Sequence, residues 1–404
     1  MLYFGIDWSS AHHNLCILNE AGARVSQVKF EHSPSGFARI EVERCKLQVS
    51  ASACPVAIET AHNLLVDYLL DREYPVYLVP PRATAGYRNR QRSSGAHDDD
   101  SDAALLASIM RTDRESHRRW LPHQPLTQQL AARVRLIETL RRSIQRQANQ
   151  LQALLLRTYP TALGLFSELT TQIALQFLSA FPSASEAQQL SRSAFDDFCR
   201  AQGYTRSDLL PMHYAHLLEA APQANAAVRQ AYCESIRVLA QVLLPQVRAR
   251  TQTLLELPAL LHKHPDAFIF ESLPNAGVLL APALLVKFGD ARERFPTAAA
   301  VQALAGTCPL TKHSGKRKLI LFRRGCDLEF RRIAQQYALA SLGASGWASA
   351  YWKEIRPRCH SDSHAYRVLA NRWLAIIWKL WQQRQPYDEA HHLQQRALRR
   401  TPKT

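Results

Sequence analysis

The sequence has no uninterrupted apolar run of the roughly 18 residues that a membrane-spanning helix needs. The nearest approach, Ser272 to Val286, contains two prolines. Its start, Met1-Leu2-Tyr3-Phe4-Gly5, lacks the basic segment and long apolar core of a secretion signal. Both absences predict a cytoplasmic protein that does not enter a membrane. The eight cysteines include no Cys-x-x-Cys pair and no histidine at zinc spacing, which argues against a zinc module or a disulfide framework and leaves reduced thiols. Acid is also scarce, with 34 Asp and Glu against 50 Lys and Arg and a net charge of +16. The imbalance is steepest in residues 312–404, with 19 basic and 6 acidic side chains. A polyanion is the natural partner of such a segment.

What acid there is gathers in one place. His97-Asp98-Asp99-Asp100-Ser101-Asp102 precedes the apolar run Ala103-Ala104-Leu105-Leu106-Ala107. Four carboxylates within five positions repel one another in any compact state. One reading is a solvated helix start, where aspartate suits the first turn. The other is a divalent cation held through oxygen. Asp7 and Glu59 add weight to the second, because each lies at or near the end of a short apolar strand.

Residues 2–8 alternate, with Leu2, Phe4, Ile6 and Trp8 on one face and Tyr3, Gly5 and Asp7 on the other. Runs at 14–18 and 24–30 complete a three-stranded meander across Asn19-Glu20-Ala21-Gly22. A helix from Ser33 to about Leu47, a strand ending at Glu59, a helix over 63–72, a strand over 75–79 and a helix from Asp99 follow. Strand-strand-strand-helix-strand-helix-strand-helix, with acids on the first strand, the fourth strand and the last helix, is the layout of an RNase H-like or RuvC-like core. Asp99 and Asp102 share a helical face and could join Asp7 and Glu59 around one or two Mg²⁺ ions. Asp98 and Asp100 fall on other faces and read as a helix start or a solvated pair. Between strand and acids, Arg82, Arg88, Arg90 and Arg92 suit phosphate contact.

From Leu126 an apolar seam of Leu130, Val134, Ile137, Leu140, Ile144, Ala148, Leu151 and Leu155 predicts a long helix. A similar pattern runs from about Ala226 to Leu257, with a kink expected at Pro245. The two should pair, within one chain or between protomers. Residues 160–222 read as a helical insertion between them. Ser272-Leu273-Pro274-Asn275-Ala276-Gly277 looks like a turn entering a helix that could offer backbone N–H groups to phosphate. Lys312, Lys316, Arg317, Lys318, Arg323 and Arg324 surround Ser314 with positive charge. A hydroxyl so placed could attack phosphorus, or could simply hydrogen-bond a phosphate.

Taken together, Gly5-Ile6-Asp7, Ile58-Glu59, Asp99-x-x-Asp102-Ala103, Pro274-x-x-Gly277, Phe295, Ala305-Gly306-x-x-Pro309 and Ser314-Gly315-Lys316 resemble the DEDD transposases of bacterial insertion sequences. That family includes Piv-type invertases and bridge-RNA-guided recombinases. The resemblance implies an α/β plus all-α protein: a RuvC-like domain over 1–112, a helical coiled-coil region over 113–264, and a mostly helical serine transposase domain over 265–404. It implies that Asp7, Glu59, Asp99 and Asp102 bind Mg²⁺, and that Ser314 attacks DNA and becomes transiently 5′-phosphoserine-linked. It further implies double-stranded DNA as substrate, dimers or tetramers with acids and serine meeting across protomers, and in some members a structured guide RNA. Pro274-Asn275-Ala276-Gly277 departs from the family's usual Pro-Gly-Ile-Gly. Two other functions fit the residues: a RuvC-like nuclease that hydrolyses with water, and a nucleic-acid-binding scaffold without catalysis. The tryptophans Trp347, Trp352, Trp373, Trp378 and Trp381 could stack on unpaired bases or fill a core.

Overall fold

The structure, a computed structural model, describes every residue except 61–62, 92–98, 118, 221–223, 315–316 and 401–404. Side chains within helices and strands are also left undescribed at Arg82, 89–91, Asp99, Ser314, Arg317 and 395–400. The chain divides into two compact units, Met1–Pro122 and His123–Thr404.

The first unit is a mixed α/β domain. Strands β1 (Tyr3–Trp8), β2 (His12–Leu18) and β3 (Arg24–Glu31) form the expected antiparallel meander. β4 (Val56–Ile58) and β5 (Val76–Leu78) extend it in parallel, giving the order β3-β2-β1-β4-β5. The sheet's two faces are chemically different. Phe4, Ile6, Leu15, Ile17, Val56 and Ile58 pack with Phe37 and Ile40 of helix α1 (Pro34–Lys46) and with Leu65 and Leu69 of α2 (Leu64–Asp71). Small residues line the opposite face. There Cys16 and Ala57 lie under α4 (Asp99–Asp113), which contributes Ala103, Leu106, Ala107 and Met110. Ser33 and Asn63 cap α1 and α2 by accepting from the amides of Gly36 and Val66.

One element was absent from the sequence reading. Residues Pro81–Gln91, expected only as a basic stretch, form helix α3. Pro80-Pro81 starts it, since proline's fixed φ and missing N–H suit a first turn.

The second unit is almost wholly helical. Its frame is an intrachain pair, α5 (Pro125–Thr158) and α10 (Ala226–His262). They run antiparallel, with Arg133 facing Glu256 and Gln147 facing Gln246. α10 is a single element that continues through Pro245 and Pro258. Helices α6 to α9, spanning 172–217, pack on the outer end of this pair through Phe177, Phe195 and Leu217 against Leu151, Leu155 and Ala240. The base of the pair meets a second core. It contains α11 (Ala267–Glu271), α12 (Gly277–Phe288), α13 (Ala298–Leu304), α14 (Leu328–Ser341), α15 (Gly346–Ile355) and α16 (Asp362–Gln383). A two-stranded hairpin, β6 (Leu310–Ser314) and β7 (Arg317–Leu321), leaves this core, and α17 (Glu389–Arg400) closes the chain. Trp347, Trp373 and Trp381 are buried in the second core, so these three are packing residues. Trp378 is fixed by its indole N–H donating to the Phe295 carbonyl at 2.8 Å.

Candidate functional site

β1 and β4 are adjacent and parallel, with Ile6 opposite Ile58. Asp7 and Glu59 are therefore the next positions along, at the same end of neighbouring strands. Asp7 is half-buried and Glu59 exposed. Asp7 shares the small-residue face with Gly5, and Gly5 determines what can lie above it. A Cβ at Gly5 would overlap the carbonyl oxygen of Ala103 and the amide nitrogen of Ala107. Helix α4 thus rests directly on the β1 backbone. Tyr3 packs farther along with Leu106 and Met110, so α4 runs opposite to β1 and its first turn lies toward Asp7.

That first turn carries the remaining acids. Asp99 opens α4, and Asp102 precedes the Ala103 that touches Gly5. Asp98 lies outside the described residues. Asp100 is exposed, and its charge acts on Cys16 of β2, whose thiol is pushed up to about 11, mainly by burial.

α3 supplies partners that the sequence did not reveal. Thr84, buried, donates to Glu59 Oε1 at 2.8 Å, and Arg88 Nη2 binds Asp102 Oδ1 at 2.7 Å. Arg88, expected on phosphate, is here the counter-cation of an acid. No spacing rule would have singled out Thr84, because a hydroxyl gains this role only by being brought under Glu59. Of the other arginines, Arg82 and Arg90 lie on α3 without described side chains, and Arg92 lies outside the described residues. Among the described residues no three His, Cys, Asp or Glu side chains gather as a metal-holding group. The donor chemistry nevertheless fits a hard divalent cation. It consists of carboxylate oxygens only, and a guanidinium already occupies one of them.

Ser314 ends β6 and pairs in register with Arg317 of β7, so it sits at the hairpin's tip. Lys316 lies outside the described residues. Lys312 and Lys318 are exposed on the two strands, opposite Leu319 and His313. Arg324 is exposed and Arg323 half-buried just beyond β7. The turn before α12 is tight, with φ of 58° at Asn275 and 57° at Gly277. Asn275 Nδ2 ties it to α14 by donating to the Ala340 carbonyl at 3.1 Å.

Residues 4–160 match a DEDD family model for IS110 elements described as transposase, and residues 267–353 match one described as transposase of the IS116/IS110/IS902 family. A Streptomyces coelicolor protein named as a mini-circle transposase for IS117 is 30% identical over 398 residues, covering 96% of this chain and 95% of that protein. A 43.6 kDa protein of insertion element IS110, from the same organism, is 25% identical over 289 residues, 70% of each chain. A transposase-named protein of Sinorhizobium fredii is 26% identical over 239 residues, 53% of this chain and 67% of its own.

Proposed function

The chain belongs to the IS110 family of insertion-sequence transposases, and from that premise we propose that it cuts and rejoins DNA through Ser314 with magnesium held by Asp7, Glu59, Asp99 and Asp102. On this reading the first unit is a RuvC-like domain. The observation that carries it is Gly5: its bare backbone lets α4 lie on β1, so the acids of α4's first turn share one end of the sheet with Asp7 and Glu59. Bound magnesium would supply charge neutralisation at the phosphate.

The chain's own residues perform the exchange. Ser314 Oγ loses its proton and forms a bond to phosphorus, while the bond from phosphorus to the 3′ oxygen breaks and that oxygen takes up a proton to leave as a 3′ hydroxyl. The 5′ end is retained as a phosphoserine ester. Attack by the 3′ hydroxyl of another strand reverses the step and frees Ser314. Lys312, Arg317 and Lys318, with Lys316, lower the cost of the alkoxide and of the pentacovalent phosphorus. The basic segment beyond 312 is suited to a structured guide RNA as well as DNA. Exposed Val238, Val242 and Leu255 on α10 favour assembly into dimers or tetramers.

The test is a denaturing gel of protein incubated with element-end DNA and Mg²⁺. A DNA-shifted protein band is expected, and Ser314→Ala should abolish both it and strand transfer. Cleavage without any adduct would instead mean hydrolysis by water.

A further inference from the structure

Beside the serine hairpin, the second unit holds a cationic cluster without a counter-ion among the described residues. Phe322 follows β7, and two guanidinium groups lie against its ring. Arg331 of α14 has its Cζ 4.4 Å from the ring centroid, and Arg367 of α16 has its Cζ at 4.8 Å. Two like charges on one ring repel, and the nearby acids are engaged elsewhere. Asp327 and Glu329 both bind Lys287, at 2.9 and 2.7 Å, and Asp327 also caps α14 by accepting from the Phe330 amide. None of the ion pairs among the described residues uses Arg323, Arg331 or Arg367. The Nε atoms of Arg323 and Arg331 are buried without a hydrogen-bond partner among the described residues. Burial, and then the charge of Arg331, hold Arg367 below arginine's ordinary range.

The cluster is held in shape from below. Arg331 Nη2 donates to Cys326 Sγ at 2.7 Å and to the Arg323 carbonyl. Gly306, at φ 61°, leaves the space: a Cβ there would overlap Arg331 Nη2 and lie 2.6 Å from Cys326 Sγ. Arg331 is thus pre-set on a rigid support, while Arg367 rests against the ring. A guanidinium fork matches the oxygens of a phosphate as it does those of a carboxylate, and a nucleic-acid backbone presents the former to a basic surface.

We propose that Arg331 and Arg367, both against Phe322 and flanked by Arg323, seat one backbone phosphate of the duplex DNA on which the Ser314 hairpin acts. The choice of DNA rests on the serine reading above, because Phe322 directly continues the strand that pairs with Ser314. The seat itself rests on the uncompensated guanidinium pair. It fixes the duplex at the base of the hairpin without reading sequence.

The experiment measures equilibrium binding of a labelled DNA duplex to the full-length protein, without Mg²⁺, over a salt series. Arg367→Gln should weaken binding about fivefold for every duplex sequence and lower the slope of log K against log salt by about one. Arg367→Lys should keep the slope. Should the glutamine variant fail to melt at the wild-type temperature, Arg367→Met, which keeps an apolar stem on the ring, carries the same expectation. An unchanged slope in a natively folded variant overturns the seat. So does a slope lost for single-stranded RNA but kept for duplex DNA. Inorganic phosphate provides a further arm. If it raises the melting temperature of the wild type but not of Arg367→Gln, while the duplex slope is unchanged, the cluster takes a free anion and the DNA assignment falls. If Ser314→Ala still cuts DNA, the nucleophile is wrong while the salt slope continues to judge the seat alone.

Discussion

Replacing Gly5 by alanine is the sharpest perturbation of the acidic site, because it adds one methyl group and no charge. The new Cβ would come inside 3.0 Å of two backbone atoms of α4, the Ala103 carbonyl oxygen and the Ala107 amide nitrogen, and would lie 3.0 Å from Ala107 Cα. Neither backbone atom can swing away as a side-chain tip could. To restore ordinary contact, helix and strand must separate by about 1 Å, against the resistance of a close-packed interior. Overpacking of this kind costs about 1–3 kcal/mol. The separation also carries Asp102 away from Asp7 and Glu59, and a misplacement of that size is worth about a hundredfold in rate. Urea unfolding monitored at the first unit, together with Mg²⁺-dependent DNA cleavage, reads both effects. Gly5→Ala that unfolds at the wild-type urea midpoint and cleaves at the wild-type rate would refute the reasoning. It would mean that α4 is not seated on β1 as described.

Arg88→Ala frees Asp102 from a half-exposed ion pair worth up to about 1 kcal/mol, so calorimetric Mg²⁺ affinity should rise about two- to fivefold; weaker binding would contradict the competition. Glu138, buried in α5, binds Arg141 at 2.9 Å, Arg142 at 2.7 Å and Arg332 at 2.8 Å. Burial alone would raise its pKa, but the bonds from Arg141 and Arg142 and the charge of Arg332 draw it down to about 2. A depressed carboxylate stabilises the fold above its unfolded pKa, so that contribution is lost as pH falls from about 4.5 through 2, visible as a falling melting temperature. Glu138→Gln should cost about 3 kcal/mol at neutral pH and flatten that acid dependence. Trp373→Ala should cost about 4 kcal/mol, because the ring is 1% exposed in the second core. A stable Trp373→Ala protein with weakened nucleic-acid binding would instead return this tryptophan to base stacking.

The sheet was legible because its strands obey a simple period. Leu2, Phe4 and Ile6 alternate with Tyr3, Gly5 and Asp7, and the structure puts the first set in the core and Tyr3 and Gly5 under α4. The placing of Asp7 and Glu59 at strand ends followed from the same alternation. α3 was not legible, because its arginines and Gly86 give no apolar stripe. Its position is fixed by tertiary partners, Thr84 on Glu59 and Arg88 on Asp102. The pairing of α5 with α10 was expected from their seams, but the seams do not say which chain supplies the partner; in the structure Gln147 with Gln246 and Arg133 with Glu256 join the two helices within one chain. Arg367 carried no signal at all. It lies far downstream of Phe322, and only the packing of α14, α16 and the hairpin brings guanidinium and ring together.

The paired helices also set a length. At 1.5 Å per residue, the 34 residues of α5 span about 50 Å, close to fifteen base pairs of B-form DNA at 3.4 Å each. The helices of 172–217 cluster on the Leu151–Leu155 side of this strut, while the core bearing the serine hairpin grips its Leu130–Ile137 side. Anything the outer cluster touches is therefore held at a fixed stride from whatever the hairpin touches, as the jaws of a caliper are held by its beam.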